Sequence, residues 1–179
     1  MQRSSFDSMG CPIADTLEQV GEWWTLLILR DALDGFSRFE EFERNLGIAP
    51  NMLTRRLKSL VEAGLLDRRQ YQDRPPRYEY VPTRRGRELT PVIVALYAWG
   101  NKHVDPDDRG MILVDDAGEE IDPVFVDRRT GRTLGESNAR FVAGPAASES
   151  LARRLDPDLR AERRTRQHTW LSFGAQLHG

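Results

Sequence analysis

The chain has a single cysteine, Cys11, in 179 residues. One cysteine cannot build an internal disulfide framework or a cysteine-rich zinc site. Histidine is nearly as scarce. His103, His168 and His178 are scattered and form no metal-spaced pair, so neither a metal nor a cofactor is expected. Long hydrophobic runs are missing too: the most apolar stretch, TLLILRDAL, is broken by Arg30 and Asp31, which leaves nothing to span a bilayer. The opening MQRSSFDSMG has no apolar signal core, so export is not expected and a cytoplasmic location is the default. No glycine-rich phosphate loop, nucleophile elbow or nucleotide fingerprint occurs. An enzyme therefore has no motif to rest on.

What is present suits a globular protein with a polar exterior, at 39% hydrophobic and 30% charged residues. The length fits one domain with an appendage. The net charge of −2 is unevenly spread. Residues 51–88 hold ten Lys/Arg and five Asp/Glu, which makes that window +5, and the remainder is 16 − 23 = −7. A basic window in an acidic chain is an electrostatic footprint for a polyanion, although a solvated charged face has the same composition.

Local patterns order the elements. Pro12 is placed as a first-turn residue of an amphipathic helix over IADTLEQVG. Residues 22–34 are apolar nearly all round, which predicts a buried central helix ended by Gly35. Ser37 is expected to cap the next short helix, with Glu40 as its capping-box partner. Phe39, Phe42 and Leu46 recur at helical spacing before Gly47 stops the helix. Pro50 then opens another, with Leu53, Leu57, Leu60, Val61 and Leu65 forming one apolar stripe.

Two helices joined through Gly47 read as a helix-turn-helix. The wet face of the second helix carries Asn51, Thr54, Arg55 and Lys58, with Arg56 beside them. Asn and Arg are the side chains best suited to bidentate contacts with adenine and guanine edges, and the start of this helix is what enters the major groove. Asn51, Thr54 and Arg55 are assigned to specificity, and Arg56 and Lys58 to the phosphate backbone. Ser37, Arg38 and Pro50 are counted with the DNA-contacting residues. Next comes LLDRRQYQDRPPRYEYVPT, which reads as two strands around a proline tip. A hairpin directly after a recognition helix makes a winged helix. Arg74 and Arg77 would flank the wing tip, held stiff by Pro75 and Pro76. Thr83 can cap a further helix, TRRGRELTPVIVALYAWGNKHV, which Pro91 should bend or weaken. Leu89, Val92, Ile93, Leu96 and Trp99 give it an apolar side suited to a dimer.

Residues 11–104 resemble the HxlR family of bacterial winged-helix regulators, relatives of the MarR type. The resemblance is carried by CPIADTLEQVGEWWTLLILRDAL, by GFSRFEEFERNLGIAPNMLTRRLKSLVEAGLL, by RPPRYEYVPTRRGREL and by the closing ALYAWG. It implies a homodimeric transcription factor that binds a palindromic operator in double-stranded DNA. Repression is the expected direction. The dimer interface would join Ile13 and Leu17 of the first helix to the post-wing helix. Some members of the family sense electrophiles or oxidants through a cysteine at the position of Cys11, and a helix N-terminus stabilises a thiolate. Against this stands a purely structural Cys11, since free cysteine is commonly a small buried hydrophobe. A winged helix repurposed for protein interaction is a further alternative. Two departures from the family pattern are Ala49, where a small polar cap is usual, and Gly21-Glu22-Trp23-Trp24, expected to affect core packing.

The fold class expected is mainly α with a small β wing: a winged helix-turn-helix plus a small α+β extension. Residues 1–10 form a flexible lead, 11–104 the DNA-binding and dimerisation domain, and 105–179 an extension of open role. Within the extension, short strands are expected around turns at 116–118 and 130–131. A calcium loop is not expected, because Asp115, Asp116, Glu119, Glu120 and Asp122 lack the ligand spacing. One or two helices should follow, broken near Asp156-Pro157, with a loosely ordered end. This tail could cover the dimer, bind a small-molecule effector, or contact DNA through Arg163, Arg164 and Arg166.

Overall fold

Helix α1 (Pro12–Val20) begins at Pro12, as its fixed φ favours. Helix α2 (Trp23–Leu33) follows and buries Ile28 and Leu29 completely. Its C-terminal turn closes through Gly35, at φ 102°. Helix α3 (Phe39–Leu46) ends at Gly47, whose φ of 60° is the left-handed conformation that releases the chain into the turn of the motif. Helix α4 (Pro50–Glu62) then presents Leu53, Leu57 and Leu60, all buried, against Ile28, Leu29 and Phe42. These are one apolar face of each helix, spaced to meet at one centre, and burying each such side chain contributes roughly 1.5–3 kcal/mol. This computed structural model describes residues 11–135, 137 and 139–165; the expectations for residues 1–10, His168, His178 and Arg166 lie outside that range.

The wing is a two-stranded antiparallel hairpin, β1 (Leu66–Asp73) and β2 (Pro76–Pro82). Its turn consists of Arg74 and Pro75, so Pro76 and Arg77 already belong to β2. The register slips between Gln70 and Gln72, which leaves Tyr71 bulged. An isolated bridge ties the wing to the segment before α3: Arg38 pairs with Glu79, and the Tyr80 N–H donates to the Ser37 carbonyl at 2.7 Å.

Three local expectations are corrected. The start of α3 is one residue later than the Ser37–Glu40 capping box requires. Glu41, not Glu40, reaches back to accept from the backbone N–H groups of Ser37 and Arg38 at 2.9 and 2.8 Å. Ser37 cannot cap here because its main chain is engaged in the sheet. The post-wing helix is two helices, α5 (Arg84–Arg87) and α6 (Thr90–Asn101). Pro91 sits in the first turn of α6 and starts it rather than bending it. Trp23 is 90% exposed and does not enter the core, whereas Trp24 packs against it.

Thr83 caps α5 as its position suggests, accepting from the Gly86 N–H at 3.0 Å. Its hydroxyl also donates to the Gly64 carbonyl at 2.7 Å. Asp31 is buried, with a carboxylate held by the Arg30 guanidinium at 2.7 and 2.8 Å and by Asn45 Nδ2 at 2.7 Å. This links α2 to α3.

The chain divides into two units. Residues 19–126 form one; residues 11–18 with the described part of 127–179 form the other. This division differs from the boundary expected at residues 104/105. Within the first unit, Tyr97 Oη accepts from the Leu113 N–H at 2.9 Å and holds the segment after α6. The strands expected there reduce to an isolated Val114–Glu120 bridge around a turn closed by Asp115, which accepts from Ala117 N and Glu119 N. In the second unit, Asp127 accepts from Thr130 Oγ1 and Arg129 N to close a turn at Gly131. Helix α7 (Glu149–Leu155) is capped by Ser148 and stops before Asp156. Residues 157–165 are helical again, with Asp156 accepting from Leu159 N, so the break falls where Pro157 requires it.

Candidate DNA-binding surface

Helix α4 is amphipathic. Its buried face fixes its rotation, and that rotation leaves Asn51, Thr54, Arg55 and Lys58 exposed together. Its N-cap is Ala49, which supplies no side-chain hydrogen bond, and Pro50 occupies the first turn. Thr54 Oγ1 donates to the Pro50 carbonyl at 2.9 Å, which turns the hydroxyl back along the helix. Lys58 lies 3.6 Å from Glu62 on the same face. Such an exposed i,i+4 pair is worth only a few tenths of a kcal/mol and is readily exchanged for a phosphate.

Arg56 behaves differently from Arg55. Its side chain is only 14% exposed and its guanidinium meets Glu22 at 3.0 Å. Sequence alone could not separate two adjacent arginines. The apolar stripe can, because residue 56 lies on the flank of Leu53 and Leu60 while residue 55 lies opposite Leu57.

The wing adds two cations beside the helix-turn-helix. Arg74 lies at the turn, exposed, and like Arg55 it has no carboxylate partner among the described residues. Arg77 is exposed and 4.0 Å from Glu40. Arg38, at the start of α3, lies over the Tyr71 ring at 4.7 Å, and Arg68 lies over Tyr78 at 3.3 Å. The first of these cation–π contacts ties the hairpin to the start of α3, and the second joins the two strands of the hairpin. Other arginines in the basic window hold the fold. Arg85 donates to the Ala63 carbonyl at 2.7 Å and to Gln19 at 2.6 Å, and Arg87 donates to the Pro82 carbonyl.

The surface is therefore an exposed helix carrying Asn and Arg, flanked by a rigid cationic hairpin. Residues 19–108 match the family model described as HxlR-like helix-turn-helix. The chain belongs to the HxlR family. Among the relatives of this HxlR-type protein is Rv3095, an uncharacterised HTH-type transcriptional regulator of Mycobacterium tuberculosis. It is 39% identical over 145 residues, which are 80% of this chain and 92% of that protein. Among solved structures, a candidate transcription factor of Pseudomonas aeruginosa, PA1374, is 50% identical, with a TM-score of 0.60 over 81% of this chain and all of that one. The crystal structure of another candidate transcription factor, PA1607, is 33% identical, with a TM-score of 0.70 over 79% of this chain and all of that one. This HxlR protein is a transcriptional regulator with a winged helix-turn-helix DNA-binding domain. Both similarities extend well beyond the domain, into the C-terminal region.

The residues expected at a dimer interface fall into two groups. Leu89 and Ile93 pack on the core. Val92, Leu96 and Trp99 form an outward stripe on α6, and Trp23 and Leu27 are exposed on α2, against which α6 packs. Ile13 and Leu17 are exposed on α1. Cys11, partly buried just ahead of α1, accepts hydrogen bonds from the backbone N–H groups of Ala14 and Ile13. These two bonds, with a smaller contribution from Arg154, lower its pKa below the ordinary thiol value, against burial and Asp15.

Proposed function

We propose that this protein represses transcription as a homodimer on a palindromic operator, with one α4 in each of two major grooves. The half-sites would then lie about 10 bp apart, or a multiple of that. The observation that carries this reading is the exposed quartet Asn51, Thr54, Arg55 and Lys58, set by the buried face of α4. Asn51, Thr54 and Arg55 read base edges. Lys58, Arg38, Arg74 and Arg77 meet phosphates, and Ser37 and Pro50 lie close to the backbone of the duplex. Arg56 supports α4 through Glu22 instead of touching DNA. An apolar stripe that includes Trp23 at 90% and Trp99 at 78% exposure is unusual on a monomer and suits a second copy. A dimer seated on a promoter represses simply by excluding polymerase. A regulator acting on bacterial DNA would work in the cytoplasm.

The test is binding to the DNA upstream of its own coding region, at two salt concentrations with excess nonspecific competitor. Retention on one segment supports the reading. Binding that disappears with salt or competitor on every segment, including those from a genome-wide selection, overturns it and leaves the protein-interaction alternative.

A second reading rests on Cys11. Its lowered pKa favours the nucleophilic thiolate, so an oxidant or quinone could modify it and release DNA.

A further inference from the structure

Two adjoining cavities of about 440 and 380 Å³ lie in the unit that contains α1 and α7. Both volumes are those of ordinary small-ligand sites, roughly 300–1,000 Å³. The two share Cys11, Ile13, Leu151 and Arg154. One extends along α1 to Leu17, and the other along the chain to Phe141 and Val142. Apart from Cys11 and Ser150 their walls are largely apolar, with one cation, Arg154. Arg154 is exposed at the rim, and no carboxylate pairs with it among the described residues.

A guanidinium without a carboxylate partner at the edge of a largely apolar cavity selects for a ligand of matching shape: one anionic group attached to an apolar body. We propose that this cavity binds a small monocarboxylic acid, with its carboxylate on the Arg154 guanidinium and its hydrocarbon part against Leu151, Ile13 and Phe141. Arginine suits this role because its planar fork takes both carboxylate oxygens at once. The neutral alcohol of the same chain length keeps the apolar contacts and loses that pair.

The cavity also touches the proposed assembly. Ile13 and Leu17 line it yet stay 53% and 44% exposed, so α1 can meet a ligand on one flank and a partner subunit on the other. A bound acid would then act on the dimer and hence on DNA. That effector role rests on the function proposed above; the binding itself does not.

The experiment is calorimetric titration of the full chain with octanoate and with octanol, on wild type, Arg154→Gln, Arg154→Lys and Ala147→Trp. Ala147 lines one of the cavities and is not placed at the DNA surface. Octanoate is expected to bind saturably. Arg154→Gln should weaken it by about tenfold or more, because a charge-assisted pair is lost. Arg154→Lys should fall between wild type and Arg154→Gln, because lysine keeps the charge and loses the fork, octanol should bind like octanoate to the Gln variant, and Ala147→Trp should weaken both ligands. Thermal melting checks that each variant is folded. No saturable octanoate binding to wild type, or equal affinity of wild type and the folded Gln variant, overturns the proposal. Operator binding is measured separately on the same samples: octanoate binding without operator binding sinks the regulator reading and leaves the pocket standing.

Discussion

The backbone N–H of Tyr80, in the wing, donates to the carbonyl of Ser37, just ahead of α3, across 2.7 Å. The wing is therefore stitched to the start of the helix-turn-helix rather than hanging from the end of α4 alone. With Arg38 stacked on Tyr71, the hairpin and α3 present their cations from one frame. This lets a tip arginine and a helix arginine be compared as parts of one rigid surface.

Arg55→Ala should cost about 1–3 kcal/mol on the preferred operator and flatten the preference at one base pair, as loss of a base-edge contact does. Arg77→Ala should weaken binding to all sequences alike and reduce the slope of log K against log salt by about one. Titrations of both variants on operator and scrambled DNA would decide it. Equal effects on both DNAs for both variants would remove the division of labour.

Asp31→Ala should destabilise the domain by about 2–4 kcal/mol, read as a lower urea midpoint. The buried carboxylate joins Arg30 and Asn45, and its removal strips charge-assisted bonds between α2 and α3. A shift under about 0.5 kcal/mol would show that the link is not structural.

Gly86→Ala should be costly for a different reason. A Cβ at residue 86 would stand 2.2 Å from the Leu65 carbonyl oxygen, and that oxygen is backbone already bonded to Thr83 N at 3.0 Å. Either α5 or the end of the α4–β1 connection must move, at a cost of about 1–3 kcal/mol. A melting temperature equal to that of wild type would refute this.

Glu41 gives a pH signature. The N–H groups of Ser37 and then Arg38 lower its pKa below the ordinary glutamate value, with burial opposing them. The folded state thus favours the carboxylate. The stabilisation is fully present above the unfolded glutamate pKa and is lost as pH falls through the lower, folded one. Glu41→Gln should be less stable than wild type at neutral pH, with the gap closing on acidification. A gap that stays constant from pH 7 to the acid limb would contradict the assignment.

Cys11 can be tested directly. Its lowered pKa predicts faster alkylation by iodoacetamide at neutral pH than an unperturbed thiol shows, and loss of operator binding after diamide treatment that Cys11→Ser abolishes. Unchanged operator binding by fully modified wild type would leave Cys11 a structural residue.

Much of the winged helix was legible because periodic burial and turn chemistry agree. Leu53, Leu57 and Leu60 could share a core only if α4 is a helix, and Gly47 could take φ 60° where other residues strain. What was illegible is where equivalent polar residues part company. Ser37–Glu40 and Arg38–Glu41 offer the same capping spacing, and the choice was made by a distant strand that engages Ser37. Arg55 and Arg56 are one letter repeated; the apolar stripe of α4 sets their positions apart, but the partner Glu22 that holds Arg56 is visible only in the fold. Pro91 could bend a helix or begin one, and the preceding turn of α5 decided for the second. The cavity beside Arg154 joins positions some 140 residues apart, which no local pattern encodes.

Several cations of the basic window carry an acid at arm's length: Lys58 with Glu62, Arg69 with Asp67, Arg77 with Glu40 and Arg84 with Glu88. These acids act as tethered counter-ions. A phosphate that approaches must displace a carboxylate that diffuses nowhere, which takes about a few tenths of a kcal/mol from each such contact. Arg55 and Arg74 have no such companion among the described residues. Contact with the paired cations is thus slightly discounted, and contact at Arg55 and Arg74 is not.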